Sequence, residues 1–489
     1  MSFRYLRPLR IASVVFLSIP WFIFLVTWLR PGWAVLLVPL QAYLLVLYIA
    51  RTSEPASVPA ADLLPTRDRI SAGALLVIII AALVWTSLSG AGGVGYQNLP
   101  DWDNKNAMMN DLVQYPWPIG YPGGQVLNFY LALYLPAAVL GRLAGWNAGQ
   151  WLLYGEVLAG TVLALLWVFS FSGRLGAAAC LLFLAFGGLD IVGSLLATHN
   201  WPGSGIGIEW WSRPLQFSGN TTLLFWVPQH SLPGWLLGAL LLDEGARWRR
   251  FTFAGLLVGL CVLWSPFTTL GLIPAAIAGL AMADRRTLVS PANLLYGPLI
   301  LVLAVAFYAP HRAGAVIDVG AVAWQRHYSA SGIARTGLFL ALEVGAYLVA
   351  IAACWKLLER PWRVIAIIVA ISSLACVVLP PIMANGNFAM RMSIPTLLML
   401  FLLLVRILWL EAPGGIRVGL VLCLALGAVS AVQEVTRSIM LYPAALPAPR
   451  PAYGVPGLRP RHRTAMMMPA DWPIYQLFFR PPAPPAAAL

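Results

Sequence analysis

Charged side chains are scarce in this sequence. Asp, Glu, Lys and Arg together make up 10% of its 489 residues, and lysine occurs only twice, as Lys105 and Lys356. Soluble domains carry about 25% charged residues, so an ordinary water-soluble domain is excluded, a separate nucleotide-binding domain included. Cysteine is sparse too. Cys180, Cys261, Cys354, Cys376 and Cys423 all lie inside apolar runs, with no CxxC pair and no Cys/His cluster. That pattern gives neither a disulfide framework nor a zinc site, and the five read as small core residues. What the chain has in excess is apolar. Hydrophobic residues make up 60%, mean hydropathy is +0.79, and runs of membrane-spanning length recur from end to end. The fold class is therefore all-α, a polytopic membrane protein. The first run is followed at once by others, so it reads as a retained helix and not as a cleaved signal peptide. The net charge of +13 does not point to nucleic acid, because the arginines stand at the ends of apolar runs, as orientation and headgroup anchors.

The basic residues give a topology. Arg4, Arg7 and Arg10 put the N-terminus in the cytoplasm. Spans follow at roughly 11–29, 33–50 and 71–89, with Arg51, Arg67 and Arg69 in a cytoplasmic connection. Three crossings deliver the loop 90–125 to the outside, and long ordered loops tend to be functional. The basic stretch 243–250 is cytoplasmic, which makes the loop 196–230 external. An even number of crossings must separate two external loops, yet three apolar runs lie between them. The short run 126–141, with Pro136, is then a re-entrant or interfacial segment. Gly173-Arg174 becomes a cytoplasmic turn. The run 252–283 breaks at Trp264-Ser265-Pro266-Phe267 into two spans. The count comes to about thirteen transmembrane helices, with interfacial or re-entrant helices in the first external loop. Residues 1–433 form the membrane domain. A Pro/Arg-rich tail, 434–489, is external, and its stretch Pro481–Pro485 is expected to be disordered.

Charge gathers in one place, Asp101-Trp102-Asp103-Asn104-Lys105 through Asp111. Asp101 and Asp103 point the same way in an extended segment and diverge in a helix. They suit a catalytic base, a divalent-ion site or a helix cap. Lys105 can pair with Asp101 or meet a phosphate. From other external positions come Asp190, at the end of Gly187-Gly188-Leu189-Asp190, Glu209 before Trp210-Trp211, Arg213, Asn220, Gln229 and His230, then His311, Arg312, Arg326, His327, Asn385, Asn387 and Arg391. Glu209 can equally belong to an interfacial aromatic belt, and His230 can be a hydrogen-bonded structural residue. Arg391 can anchor to a headgroup or grip a phosphate with its guanidinium fork. Glu156 and Glu343 fall within spans. Carboxylates near a membrane boundary are costly unless paired or solvated, so their collection on one face predicts a polar cavity opening outward.

The many spans and the acidic first external loop resemble the GT-C superfamily of integral-membrane glycosyltransferases, the class that includes protein O-mannosyltransferases and the lipid A aminoarabinose transferase. The resemblance implies a sugar moved from a polyprenyl-phosphate donor to an acceptor glycan, lipid or protein at the external face of a bacterial inner membrane, with an external C-terminus. It implies that Asp101 or Asp103 acts as base, that Asp190 is a second acidic position and that Arg391 binds phosphate. Lys105, Asp111, Glu209 and His230 complete the expected substrate-binding set. A divalent cation, Mg or Mn, is compatible with this chemistry and not required by it, with Asp103 and Asp190 as the ligands. Two other readings stay open: a transporter or flippase of lipid-linked saccharide, which needs polar residues along a path through both leaflets, and a polymerase or ligase of surface polysaccharide.

Overall fold

The computed structural model describes residues 2–54, 64, 66–199, 201, 207–213, 215–248, 251–308, 328–378, 387–410 and 412–483. It is 75% helical, as an apolar chain must be when lipid offers its backbone no hydrogen bonds. A short strand β1 (Ser2–Arg4) leads into α1 (Leu6–Trp28) and α2 (Pro31–Arg51). Strand β2 (Arg69–Ser71) precedes α3 (Ala72–Ser87), and the acidic stretch forms α4 (Asp101–Gln114). Strands β3 (Gly120–Tyr121) and β4 (Gln125–Leu127) make a hairpin before α5 (Leu135–Ala144) and α6 (Trp146–Phe171). Next come α7 (Ala177–Ala185), α8 (Asp190–Thr198), α9 (Asn220–Trp226), α10 (Pro228–Trp248), α11 (Ala254–Trp264) and α12 (Pro266–Ala281). The second half holds α13 (Gly297–Tyr308), α14 (Ala330–Leu340), α15 (Ala346–Ala353), α16 (Arg360–Val378), α17 (Asn387–Trp409) and α18 (Gly414–Met440).

Eight candidate spans among the described residues are long and apolar enough to cross a membrane: α1, α2, α6, the run 177–198 over α7 and α8, the run 330–353 over α14 and α15, α16, α17 and α18. The other expected spans fall on α3, α10, α11, α12 and α13, which are shorter or less apolar. The run 126–141 is helical only from Ala132 onward.

Two of the long spans are irregular. The run 177–198 is broken between Ala185 and Asp190, and its freed backbone groups are met by neighbours. The Tyr347 hydroxyl donates to Gly187 O at 2.9 Å, and Asn220 N donates to Phe186 O at 2.9 Å. The run 330–353 contains a π-helical turn at Ala341–Gly345. Buried α17 lies at the centre, packed on α10, α12 and α16.

Polar pairings sort the chain ends and connections into two groups. At one end β1 pairs with β2, and the Arg10 guanidinium makes two bonds to the Asp243 carboxylate, at 2.5 and 2.7 Å, with both side chains buried. Near them Arg67 N donates to Ser170 O, joining the 51–70 connection to the turn at Gly173-Arg174. These are the segments expected to share the cytoplasmic face.

The other end gathers α4, the β3–β4 hairpin and the residues after α18. The last long helix runs to Met440, past the expected boundary at 433, and the described residues beyond it pack onto this end. Strand β5 (Met467–Pro469) joins β4 as a third strand. The short helix α19 (Pro460–Thr464) lies between α18 and β5, and α20 (Pro473–Phe478) comes after β5. Arg480 N donates to Trp28 O, and Arg30 N to Phe478 O, each at 2.9 Å. Within the stretch expected to be disordered, Ala483 N donates to Pro118 O at 2.9 Å, while 484 and 485 lie outside the described residues.

Candidate functional site

A cavity of about 1440 Å³ opens at the end that holds α4 and the folded C-terminal segment. It exceeds the ~300–1,000 Å³ of sites for small molecules. Its lining divides by chemistry. One part is polar, with Asp101, Asn104, Glu209, Arg213, Arg391 and Glu434. Another part is a largely apolar gallery between α11, α12 and α13, walled by residues such as Val258, Val262, Leu270, Ile273 and Leu301. Gly255 and Gly259 on α11 let the π-helical turn Ala292–Tyr296, which leads into α13, come close: an added Cβ on Gly255 would stand 2.1 Å from Ala292 O, and on Gly259 3.0 Å from the Tyr296 ring.

Helix α4 sets the acidic rim. Its N-cap residue is Pro100 and no side chain caps it, so neither aspartate serves as a cap. Asp101 and Asp103 both occupy the first turn, where the helix dipole favours a carboxylate. At about 100° per residue they point about 200° apart. Asp101 lines the cavity. Asp103 turns away and accepts from the Tyr453 hydroxyl at 2.6 Å.

Lys105 and Asp111, expected in the site, lie behind its wall. Lys105 is buried; its ammonium donates to the Trp226 carbonyl and stands 4.3 Å from the centre of the Trp102 ring. Burial pushes Lys105 down to about 8, opposed by the charge of Asp101 and helped by that of Arg391. Asp111 accepts from the Tyr121 hydroxyl at 2.7 Å and from Val455 N at 2.9 Å. It joins α4 to the hairpin and to the C-terminal segment. Burial holds its carboxyl above the usual range, and those two donors pull it back.

Arg391 enters from the start of α17. It donates through Nη1 to the Tyr130 hydroxyl at 2.9 Å and lies over the Tyr130 and Phe267 rings, 5.1 and 5.8 Å from their centres. Its Nε is buried without a hydrogen-bond partner, so a cavity-lining guanidinium keeps a donor free. His230 does not reach the cavity. Fully buried, it packs edge-on against Tyr130 at 4.7 Å, behind Arg391.

Glu209 is the third predicted residue at the cavity. It sits in the turn Ile208–Trp210 and is held by Gly219 N at 2.9 Å, the Thr222 hydroxyl at 2.6 Å and the Gln216 amide at 3.2 Å. Burial and the neighbouring Asp190 push its carboxyl up to about 8, against the pull of Thr222, Ser218 and Gly219 N. Beside it the Trp210 and Trp226 rings meet edge-on at 5.9 Å, and Trp226 Nε1 donates to Glu434 at 3.0 Å. Glu434 also pairs with Arg437 at 3.0 Å. Asp190 is buried outside the cavity, against Trp211.

Of the eight predicted site residues, then, Asp101, Glu209 and Arg391 share the cavity, while Asp103, Lys105, Asp111, Asp190 and His230 stand in or behind its walls. His311, Arg312, Arg326, His327 and Asn385 lie outside the described residues, as does the side chain of Asn387. Arg461 and His462 of α19 line the cavity unforeseen. His462 Nδ1 is 3.1 Å from the Asn104 amide. The only sequence signal for them was a basic cluster next to a proline, which also describes any solvated tail. Asp103 and Asp190 have different partners, and no group of three or more His, Cys, Asp or Glu side chains fit for a metal ion occurs among the described residues.

No family model, curated protein or solved structure matches this chain. Its function is therefore argued from the chemistry of the site.

Proposed function

We propose that this protein is a membrane glycosyltransferase similar to the GT-C superfamily, moving a sugar from a polyprenyl-phosphate donor to an acceptor at the face where the cavity opens. One observation carries the reading: the cavity is amphiphilic, with Asp101 and Arg391 at a polar end that continues into an apolar gallery. A lipid-linked sugar has that same division. Its chain fits the gallery, its phosphate meets Arg391, and guanidinium is suited to phosphate oxygens.

Asp101 is the base in this scheme. Its carboxylate takes the proton of the acceptor hydroxyl as that oxygen bonds to the anomeric carbon. The bond from the anomeric carbon to the phosphate oxygen breaks, and the phosphate departs with the electron pair. Arg391 meets the charge that develops there. Lys105 stands behind Asp101 in the cavity wall, its ammonium held by the Trp226 carbonyl. Every step uses the chain's own side chains.

The finer topology belongs to the same proposal: thirteen crossings of a bacterial inner membrane, the N-terminus in the cytoplasm, and the cavity and C-terminal segment outside. A second reading, transport of a lipid-linked saccharide, is favoured by the broken run 177–198 and the π-helical turn in 330–353, since transporters use discontinuous helices at their sites. Reconstitution in vesicles with a labelled polyprenyl-phosphate sugar separates the two. Transfer of label to a glycan, lipid or protein acceptor, lost in Asp101→Asn, supports the first. Movement of intact labelled lipid between leaflets without transfer supports the second and defeats the first.

A further inference from the structure

A pair of buried carboxyls with unpartnered oxygens lies just behind the cavity wall. Asp190 and Glu343 each sit where a helix is irregular: Asp190 at the restart of the broken run 177–198, Glu343 in the π-helical turn Ala341–Gly345. Leu189 N donates to Leu342 O at 3.1 Å and ties the two irregularities together. Such turns interrupt the helical ladder and recur at functional sites. Both carboxyls converge on one donor. Trp211 Nε1 is 3.3 Å from Asp190 Oδ1 and 3.3 Å from Glu343 Oε1.

The remaining oxygens, Asp190 Oδ2 and Glu343 Oε2, are buried without partners. Glu343 is pressed so close to Gly188 that an added Cβ there would stand 1.8 Å from Oε2. The Ser430 hydroxyl of α18 is buried and faces Asp190. Ser430 is also part of the cavity lining.

Among the described residues no Lys, Arg or His side chain pairs with either. The ionisable groups that face the pair from the surrounding elements are Glu209 in the turn 208–210 and Tyr347 on α15, which donates to Gly187 O; Glu434 on α18, one turn beyond Ser430, is already paired with Arg437. Two buried carboxylates around a single N–H cannot both keep a negative charge in a low-dielectric interior. We infer that Asp190 and Glu343 form a proton-binding site that holds one proton between the two carboxyls and exchanges it with the cavity past Ser430. A hydroxyl both donates and accepts, which fits Ser430 to that passage. The single charge left is met by the Trp211 N–H. Losing the proton sets two like charges against each other at the junction of α8 with the π-helical turn and loosens the wall that carries Glu209. The site stands apart from the glycosyltransferase reading and does not depend on it.

The test is thermal unfolding of the purified full chain across about pH 5 to pH 9, the range where buried carboxyl pairs titrate, in choline buffer. Wild type, Glu343→Gln, Asp190→Asn/Glu343→Gln and Glu209→Gln are compared. Wild type is expected to lose several degrees of Tm as the pH rises. The pair's share of that fall is missing in the two variants of the pair, where Glu209 still contributes its own, and is kept in Glu209→Gln. Parallel profiles for wild type and Glu343→Gln overturn the proposal, and so does a fall that sodium or magnesium abolishes at constant pH, which assigns the site to a metal ion. If the variants of the pair do not fold, infrared spectroscopy of Glu209→Gln, which removes the neighbouring carboxyl, decides alone. A protonated-carboxyl band that shifts in deuterated buffer and vanishes at high pH is required, and its absence overturns the site.

Discussion

Asp101 and Asp103 share one helical turn and do different things: Asp101 faces the cavity, and Asp103 accepts a 2.6 Å hydrogen bond from Tyr453 of the C-terminal segment. The helix itself separates them, since side chains two residues apart diverge on an α-helix.

The separation predicts unequal mutants. Asp101→Asn removes the base and should lower kcat by about 10²–10⁴-fold, the usual worth of positioned proton transfer. Asp103→Asn should leave kcat within about threefold and weaken the fold by no more than about 1 kcal/mol, because the bond it loses is partly exposed. Steady-state assays of the two single variants decide. Equal losses would remove the distinction.

Arg391→Lys keeps the positive charge and discards the fork of N–H donors. The KM for a polyprenyl-phosphate sugar should rise at least about tenfold, with Tm little changed, since a lysine offers phosphate a point charge in place of two directed donors. An unchanged KM would mean that the free Nε does not meet the donor.

Arg10 and Asp243 form a buried ion pair at the opposite end of the protein. Breaking one partner leaves an uncompensated buried charge, so Arg10→Met or Asp243→Leu alone should cost about 3–5 kcal/mol. The double variant should recover most of that loss. Unfolding in detergent measures all three, and a double variant as unstable as the sum of the singles would contradict the pairing.

Gly454 packs against Asp111 so closely that an added Cβ would stand 1.7 Å from Oδ1. Gly454→Ala should therefore lift the C-terminal segment off α4 and carry Arg461 and His462 out of the cavity. Limited proteolysis should then cut between 441 and 466, with activity falling in step. Continued protease resistance would show that the segment tolerates the extra methyl group.

Burial holds Lys105 at about 8, below the ordinary lysine value of about 10.4. Between those two pH values the unfolded chain binds a proton that the folded chain has released, so raising the pH through the window stabilises the fold. Wild type should gain Tm relative to Lys105→Met from about pH 8 to about pH 10. A constant difference, or a loss, would mean that Lys105 is not buried as a strained charge.

The apolar runs by themselves determined that this is an all-α membrane protein, because a chain with so few charges and repeated long apolar segments satisfies its backbone in lipid only as helices. The same scarcity made the charges legible. Grouping the arginines by connection brought Arg10, Arg67 and Arg174 to one end, where the Arg10–Asp243 pair and the Arg67–Ser170 bond now link their segments, and the acidic stretch was singled out at the other. Tertiary structure alone decided which polar residues meet. Whether Asp101 or Asp103 faces the cavity depends on helix phase and on the late partner Tyr453, 350 residues away in sequence. That Lys105, Asp111 and His230 serve the walls is owed to contacts with Trp226, Val455 and Tyr130 that no local pattern encodes. The folded C-terminal segment was equally hidden. Proline and arginine read as a solvated tail until β5 finds the edge of β4, and a strand of three residues carries no periodicity to announce itself.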